Sequence, residues 1–390
     1  MNKVPRTVWV LGFVSLCMDL SSELVHGLLP VFMTVVLGAS MVAVGVVEGI
    51  AEATASIVKV FSGVLSDRLG RRKPLVVFGY ALAAASKPLF PLAGSVPLVL
   101  VARFMDRVGK GIRGAPRDAL IADVTPAEVR GAAYGLRQAL DTVGAVLGPL
   151  AAIGLMLLLA SDIRAVLWAA VVPAIVAVVV LIVFVREPPS PAVAAANPLS
   201  GLGELNARYW AVVVIGAVFT LARFSEAFLV LRARDLGMAL ALVPIVLVVM
   251  NLAYTAIAYP AGLAADRGYR NPLLLWGLTA LIAADLVIAW FASLAAFFAG
   301  VVLWGAHMGL TQGLLSALVA DTAPAPLRGT AFGVFHLVSG VALLAASVLA
   351  GWLWSEHGAA VTFDAGAAFA ATALAGLVTY MYVSRTRARS

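Results

Sequence analysis

Several stretches of this chain run for at least twenty residues without an Asp, Glu, Lys or Arg, among them Thr142 to Ser161, Ala165 to Val185, Leu236 to Ala265 and Ala365 to Ser384. A helix needs roughly 20 apolar residues to cross hydrocarbon, and lipid tolerates only structures that pair every backbone amide internally. Composition points the same way. Of 390 residues, 62% are hydrophobic and 12% charged, with a mean hydropathy of +1.02. A soluble domain carries roughly 25% charged residues. The net charge of +7 could suggest nucleic acid, but the basic residues fall mainly at the ends of apolar runs, the pattern of a membrane chain and not of a nucleic-acid patch. A single cysteine, Cys17, excludes an internal disulfide framework.

With the charge-bearing segments included, the hydrophobic pattern predicts twelve spans, at about 8–37, 42–65, 74–93, 97–123, 131–160, 165–185, 208–236, 240–265, 272–291, 295–320, 329–355 and 362–383. The first is longer than the apolar core of a cleaved signal peptide and carries Asp19, Glu23 and His26, so it reads as a retained span. Lys3, Arg6, Arg68, Arg71, Arg72, Lys73, Arg130, Arg186, Arg267, Arg270, Arg328, Arg385, Arg387 and Arg389 fall on one side. Arg164, Arg232 and Arg234 fall on the other. That bias places both termini in the cytoplasm of an inner-membrane protein. Residues 1–185 are expected to form one six-helix bundle and 208–390 a second, joined by a Pro- and Ala-rich cytoplasmic linker over 186–207.

The halves are related. ALIADVTPAEVRGAAYG, from Ala119, recurs as ALVADTAPAPLRGTAFG from Ala317, with ten of seventeen positions identical at an offset of 198. GVLSDRLGRRKP, from Gly63, has a degenerate echo in GLAADRGYRNP from Gly262, matching Asp67 to Asp266. Chance apolar similarity would not preserve Asp, Arg and Gly at loop positions. Duplication of a six-span unit points to a transporter with a site where the repeats meet.

The run Gly63-Val-Leu-Ser-Asp67-Arg68-Leu-Gly70-Arg71-Arg72-Lys73 resembles the signature loop between the second and third helices of the major facilitator superfamily, and the resemblance extends over the whole chain. It implies an all-α membrane fold of two pseudo-symmetric six-helix bundles. It also implies a conformational latch made of Gly63, Asp67, Arg68, Gly70, Arg71 and Arg72; a loop that only sets topology is the alternative. The fifth span, with Gly135, Gly144, Gly148 and Pro149, is similar to the glycine-rich motif of the family's proton-coupled, drug-exporter-like branch, although Ala152 and Ile153 stand where that motif has a glycine pair. Simple helix packing through small residues explains the same glycines.

A charge at the bilayer centre costs about 2.5–3.5 kcal/mol or more, so intramembrane ionisable residues are functional candidates. Asp19, Ser22, Glu23, His26 and Pro30 share one stripe of the first span, with Asp19 near mid-membrane. Asp19, with Glu23 second, is a candidate proton carrier; a fixed salt bridge to the fourth span is the competing reading. The fourth span carries Arg103, Asp106, Arg107, Lys110, Arg113 and Arg117. Asp106 with Arg107 or Arg103 completes the coupling group, and the cations equally suit an anionic substrate or internal pairing with acids. Substrate-cavity candidates are His26, Lys110, Arg137, Asp141, Arg223, Glu226, Asn251, Gln312 and His336. Arg137 and Asp141, four residues apart, can also pair with each other. Ser225-Glu226 echoes Ser22-Glu23, and buried charge is sparser in the second half. That imbalance suggests coupling in the first half and substrate selection in the second.

Neither HxxxH nor CxxC spacing occurs, so neither a metal site nor a cofactor is expected. No nucleophile–base arrangement or phosphate loop suggests an enzyme. The expected partners are a small-molecule substrate, protons and membrane lipid, but no nucleic acid, and the expected state is a monomer. Three functions remain open: proton-driven export of a small molecule, proton-coupled uptake of an organic anion, and, third, transition-metal transport.

Overall fold

The computed structural model describes residues 4–69, 71–187, 202–324 and 327–387. Fifteen α-helices are named here in chain order: α1 (Arg6–Val31), α2 (Met41–Leu69), α3 (Lys73–Ser86), α4 (Leu89–Leu92), α5 (Val96–Val124), α6 (Arg130–Leu158), α7 (Ile163–Ala169), α8 (Val171–Phe184), α9 (Ala207–Leu221), α10 (Ala227–Asp235), α11 (Ile245–Ala264), α12 (Arg270–Trp290), α13 (Leu294–Thr322), α14 (Arg328–His357) and α15 (Ala359–Arg387). Among the described residues ten helical stretches are long and apolar enough to cross a membrane. The fourth span, α5, is long enough but heavily charged, and the seventh is divided between α9 and α10. Adding these two gives the twelve spans.

Local chemistry sets several helix ends. Asp162, Asn206 and Ser293 each accept a hydrogen bond from a backbone amide in the first turn that follows, starting α7, α9 and α13. The expected continuous seventh span over 208–236 is corrected. Its helix stops at Leu221 and restarts at Ala227, whose amide bonds to Ser225 Oγ at 3.2 Å. A serine hydroxyl that takes a backbone amide competes with the helical ladder and favours a cap. The third span likewise breaks at Lys87-Pro88, since proline removes an amide donor.

The chain divides into two compact units. The N-terminal unit comprises Met1–Ala39, Ile50–Pro198 and Ala239–Val248; the C-terminal unit comprises Ser40–Gly49, Leu199–Met238 and Val249–Ser390. The start of the second span thus groups with the C-terminal unit, where a Cβ on Gly45 would meet the Ser347 carbonyl at 2.2 Å.

Inside each unit the helices pack in the same order. α1 lies against α6 and α8, and α3 against α5 and α8. In the second unit α9 lies against α14 and α15, and α12 against α13 and α15. First with fifth becomes seventh with eleventh, and third with fourth becomes ninth with tenth. The duplication read in the sequence is therefore a duplication of packing. One ion pair repeats with it: Arg72 Nε reaches Asp123 at 2.5 Å, and Arg270, 198 residues on, reaches Asp321 at 3.0 Å.

Candidate functional site

The buried charge of the N-terminal unit gathers around α1, α3 and α5. Near the end of α3, the Lys87 ammonium donates to Asp106 Oδ1 at 2.8 Å and to Ser22 Oγ at 2.9 Å. Lys87 is 1% exposed and Asp106 2% exposed. Arg107 approaches Asp106 at 3.7 Å and Glu52 of α2 at 3.3 Å. Arg103, one turn earlier, is buried as well. A buried ion pair is tolerated when its remaining hydrogen-bonding capacity is also used, as Ser22 and Glu52 do here.

A second group lies further along the same helices. Arg117 donates to Ser15 at 2.8 Å and to Tyr80 at 3.4 Å, and Ser15 and Tyr80 also bond to each other at 3.1 Å. The Arg113 guanidinium lies 4.6 Å from the centre of the Tyr80 ring. Asp118 draws in both Arg117, at 3.3 Å, and Arg137, at 3.8 Å, and Arg137 also binds Asp141.

Asp19 sits between these groups. Ser15, held by Arg117, is one helical turn before it, and Ser22, held by Lys87, is about one turn after. Yet Asp19 makes no hydrogen bond or ion pair with any described residue, although it is only partly exposed. Glu23, by contrast, meets His26 Nδ1 at 3.3 Å. The glycines of the fifth span explain how α1 is held. A Cβ on Gly144 would lie 2.7 Å from the Leu16 carbonyl and 3.0 Å from Asp19 Cβ. One on Gly148 would lie 2.7 Å from Glu23 Cβ. Glycine lets α6 lie directly on the acidic stripe of α1, which no larger residue permits without a shift.

The sequence candidates distribute as follows. Asp19, Glu23, His26, Arg103, Asp106, Arg107, Lys110, Arg137 and Asp141 all belong to the N-terminal unit. Lys110 is exposed and makes no hydrogen bond or ion pair among the described residues. Arg223, Glu226, Asn251 and His336 belong to the C-terminal unit. There Arg223 stands over the Phe219 ring at 5.9 Å, Glu226 precedes α10, and His336 lies against Phe332 and Phe335. The Ser-Glu echo does not preserve its surroundings, since Ser22 accepts from the Lys87 ammonium whereas Ser225 accepts from the Ala227 backbone amide. The Gln312 and Asp67 side chains and Gly70 lie outside the described residues. Gly63 approaches α5, with a Cβ there 3.4 Å from Ala115 Cβ. Arg68 and Arg71 are exposed, while Arg72 also binds Ser66 and, through its amide, Glu187. Lys87 was not among the sequence candidates. The repeat could have revealed it, because 198 residues on stands another buried ionisable group, Asp285.

Ten helical stretches long and apolar enough to cross a membrane among the described residues, with ionisable side chains buried between helices, define a multi-pass membrane protein. A family model described as the Major Facilitator Superfamily matches residues 11–231 and 211–390, and the chain belongs to that family of transporters. An uncharacterized MFS-type transporter of Methanocaldococcus jannaschii is 33% identical over 359 residues, covering 90% of this chain and 89% of that protein. The multidrug resistance protein MdtH of Yersinia enterocolitica is 32% identical over 114 residues, covering 29% of this chain and 28% of its own. The crystal structure of the nucleoside transporter NupG shares the fold, with a TM-score of 0.76 at 13% identity, covering 97% of this chain and 99% of that one.

Proposed function

We propose that the chain exports a small molecule across the inner membrane by alternating access, driven by protons, with Asp19 as the proton-carrying group. The observation that carries this reading is that Asp19, though surrounded by charged groups, makes no hydrogen bond or ion pair among the described residues. Asp106, Glu52, Glu23 and Asp141 are each held by a basic side chain, whereas Asp19 lies between two basic groups and bonds to neither. An acid in that position can gain or lose a proton without breaking an ion pair. The neighbouring Arg107, Arg103, Asp106 and Glu23 then set the local field, and Gly144 holds Asp19 at α6. Export is favoured by the glycines of the fifth span and by the local likeness to a multidrug resistance protein. Both termini lie in the cytoplasm, and Arg72 anchors the latch loop to Asp123.

A second reading, proton-coupled uptake of an organic anion, is favoured by the exposed and unbonded Lys110 on the cation-rich α5. Inside-out vesicles energised to an acidic lumen separate the two, with ethidium as a cationic probe and fluorescein as an anionic one. Export predicts gradient-driven ethidium accumulation, lost in Asp19→Asn while counterflow exchange persists. Undiminished gradient-driven accumulation in that variant would exclude Asp19 as the carrier. Fluorescein leaving the lumen with protons, and stopped by Lys110→Gln, would favour the second reading.

A further inference from the structure

The ninth span buries an acid that this mechanism does not use. Asp285 of α12 is 0% exposed, and neither of its carboxylate oxygens has a hydrogen-bond partner among the described residues. One side of it is closed by α15, where a Cβ on Gly366 would lie 2.7 Å from Asp285 Oδ2 and 3.0 Å from Phe224 Cε1. Behind Phe224 the rings of Phe228, Trp304 and Phe363 pack at centroid distances of 5.4–5.6 Å. Rings that close on one another in this way leave the carboxyl group next to a packed aromatic wall.

The charged and titratable groups on the helices packed against α12 are occupied elsewhere. On α13, His307 Nδ1 bonds to the Gly277 carbonyl at 2.9 Å. On α10, Arg232 donates to the Ile288 carbonyl at 3.3 Å. On α15, Asp364 Oδ1 accepts from Trp290 Nε1 at 2.9 Å. Arg223 and Glu226 flank Phe224 in the chain, and Arg223 lies over Phe219. None of these groups forms an ion pair with Asp285. A carboxylate enclosed without a counter-ion costs several kcal/mol, and the general remedy is to bind a proton. Asp285 is five residues from the end of α12 at Trp290, or about 7.5 Å at the helical rise, and partly exposed Asp364 stands at that same end.

We infer that Asp285 is a proton-binding site of the C-terminal unit, loaded through Asp364 from the helix end that carries Trp290. The inference rests on the proton-driven reading for its use in transport, but the bound proton itself is measured separately. The experiment is infrared spectroscopy of the full chain in lipid bilayers, before and after transfer to deuterated buffer. The wild type should show the C=O stretch of a protonated carboxylic acid. That band should be missing in Asp285→Asn, shifted in Asp285→Glu, and retained in Asp19→Asn. In Asp364→Asn its shift on deuteration should slow by roughly tenfold or more, the effect of about 1.4 kcal/mol on a barrier. Circular dichroism and thermal unfolding verify that the variants are folded; should Asp285→Asn fail to fold, the Asp285→Glu shift decides alone. An unchanged band in both Asp285 variants would overturn the site, and unchanged exchange in Asp364→Asn would overturn the route. A wild type that shows the band but transports without regard to a pH gradient would leave the proton site standing and remove the transport reading.

Discussion

In the N-terminal unit the third and fourth spans meet at Lys87 and Asp106, 2.8 Å apart. The positions 198 residues on, in the ninth and tenth spans, are Asp285 and Trp304. Both places are sealed, with Lys87 and Trp304 each 1% exposed and Asp285 0%. In the first, two opposite charges neutralise each other and need nothing from outside. In the second, the repeat counterpart of Asp106 is an indole, and neither oxygen of the acid has a hydrogen-bond partner among the described residues. The same duplicated scaffold therefore holds a closed ion pair in one unit and an acid without a counter-ion in the other.

The largest effect expected from breaking this comparison is in the first unit. Asp106→Leu leaves the Lys87 ammonium buried with only Ser22, and removing one partner of a buried pair costs about 3–5 kcal/mol. Lys87→Met should cost less, because Arg107 still reaches Asp106 at 3.7 Å. The double variant should recover most of the loss, since hydrophobic replacement of a whole buried pair is often neutral. Denaturant unfolding in detergent reads all three. If the single and double variants lose equal stability, the pair is not the closed unit described here.

A smaller effect separates the two units at their glycine contacts. A Cβ on Gly79 would lie 2.7 Å from the Gly109 carbonyl, which is backbone and cannot turn away. On Gly277, its counterpart, a Cβ would lie 2.3 Å from Thr311 Cγ2, the end of a side chain, and 3.6 Å from the His307 carbonyl. Overpacking typically costs about 1–3 kcal/mol. Gly79→Ala should fall in that range and Gly277→Ala below it, as judged by thermal unfolding. The reverse order would mean that the third and fourth spans separate more easily than the ninth and tenth.

The third prediction has the opposite sign. Asp285→Leu removes a buried group with two unpartnered oxygens, so stability should hold or rise, by up to about 1–3 kcal/mol. A loss of several kcal/mol would show that the carboxyl is engaged in the folded state, and the contrast with Asp106 would disappear.

Much of this was legible in the sequence, for identifiable reasons. Spans follow from hydrophobic length, and the duplicated unit from loop residues such as Asp123 and Asp321, where charge and glycine are held in register. The glycines of the fifth span were readable as packing residues. Which face they pack against was not, because it depends on how α1 is rotated; only the structure places Gly144 at Asp19 and Gly148 at Glu23. Lys87 was hidden because it lies inside the expected third span, 74–93, which carries no acid to mark it as one of a pair. The break of the seventh span was hidden too, since Arg223 to Glu226 sit inside an otherwise unbroken hydrophobic pattern. Ion-pair partners such as Glu52 for Arg107 are set by long-range packing that periodicity does not record.

The smallest expected effect lies where the two units are most alike. Arg72 and Arg270 bind Asp123 and Asp321 at corresponding positions, but their settings differ. The Arg72 and Asp123 side chains are 15% and 27% exposed, and those of Arg270 and Asp321 are 42% and 60% exposed. Arg72 is further fixed by Ser66, and its amide by Glu187. Exposed ion pairs contribute about 0.2–1 kcal/mol and are screened by salt. A double-mutant cycle with Arg72→Ala and Asp123→Ala should give a coupling at or above the top of that range and little changed by salt. The cycle with Arg270→Ala and Asp321→Ala should give one near the bottom that fades as salt is added. Equal couplings would mean that the extra partners of Arg72 do not tighten its hold on Asp123, and that this loop is no better anchored in the first unit than in the second.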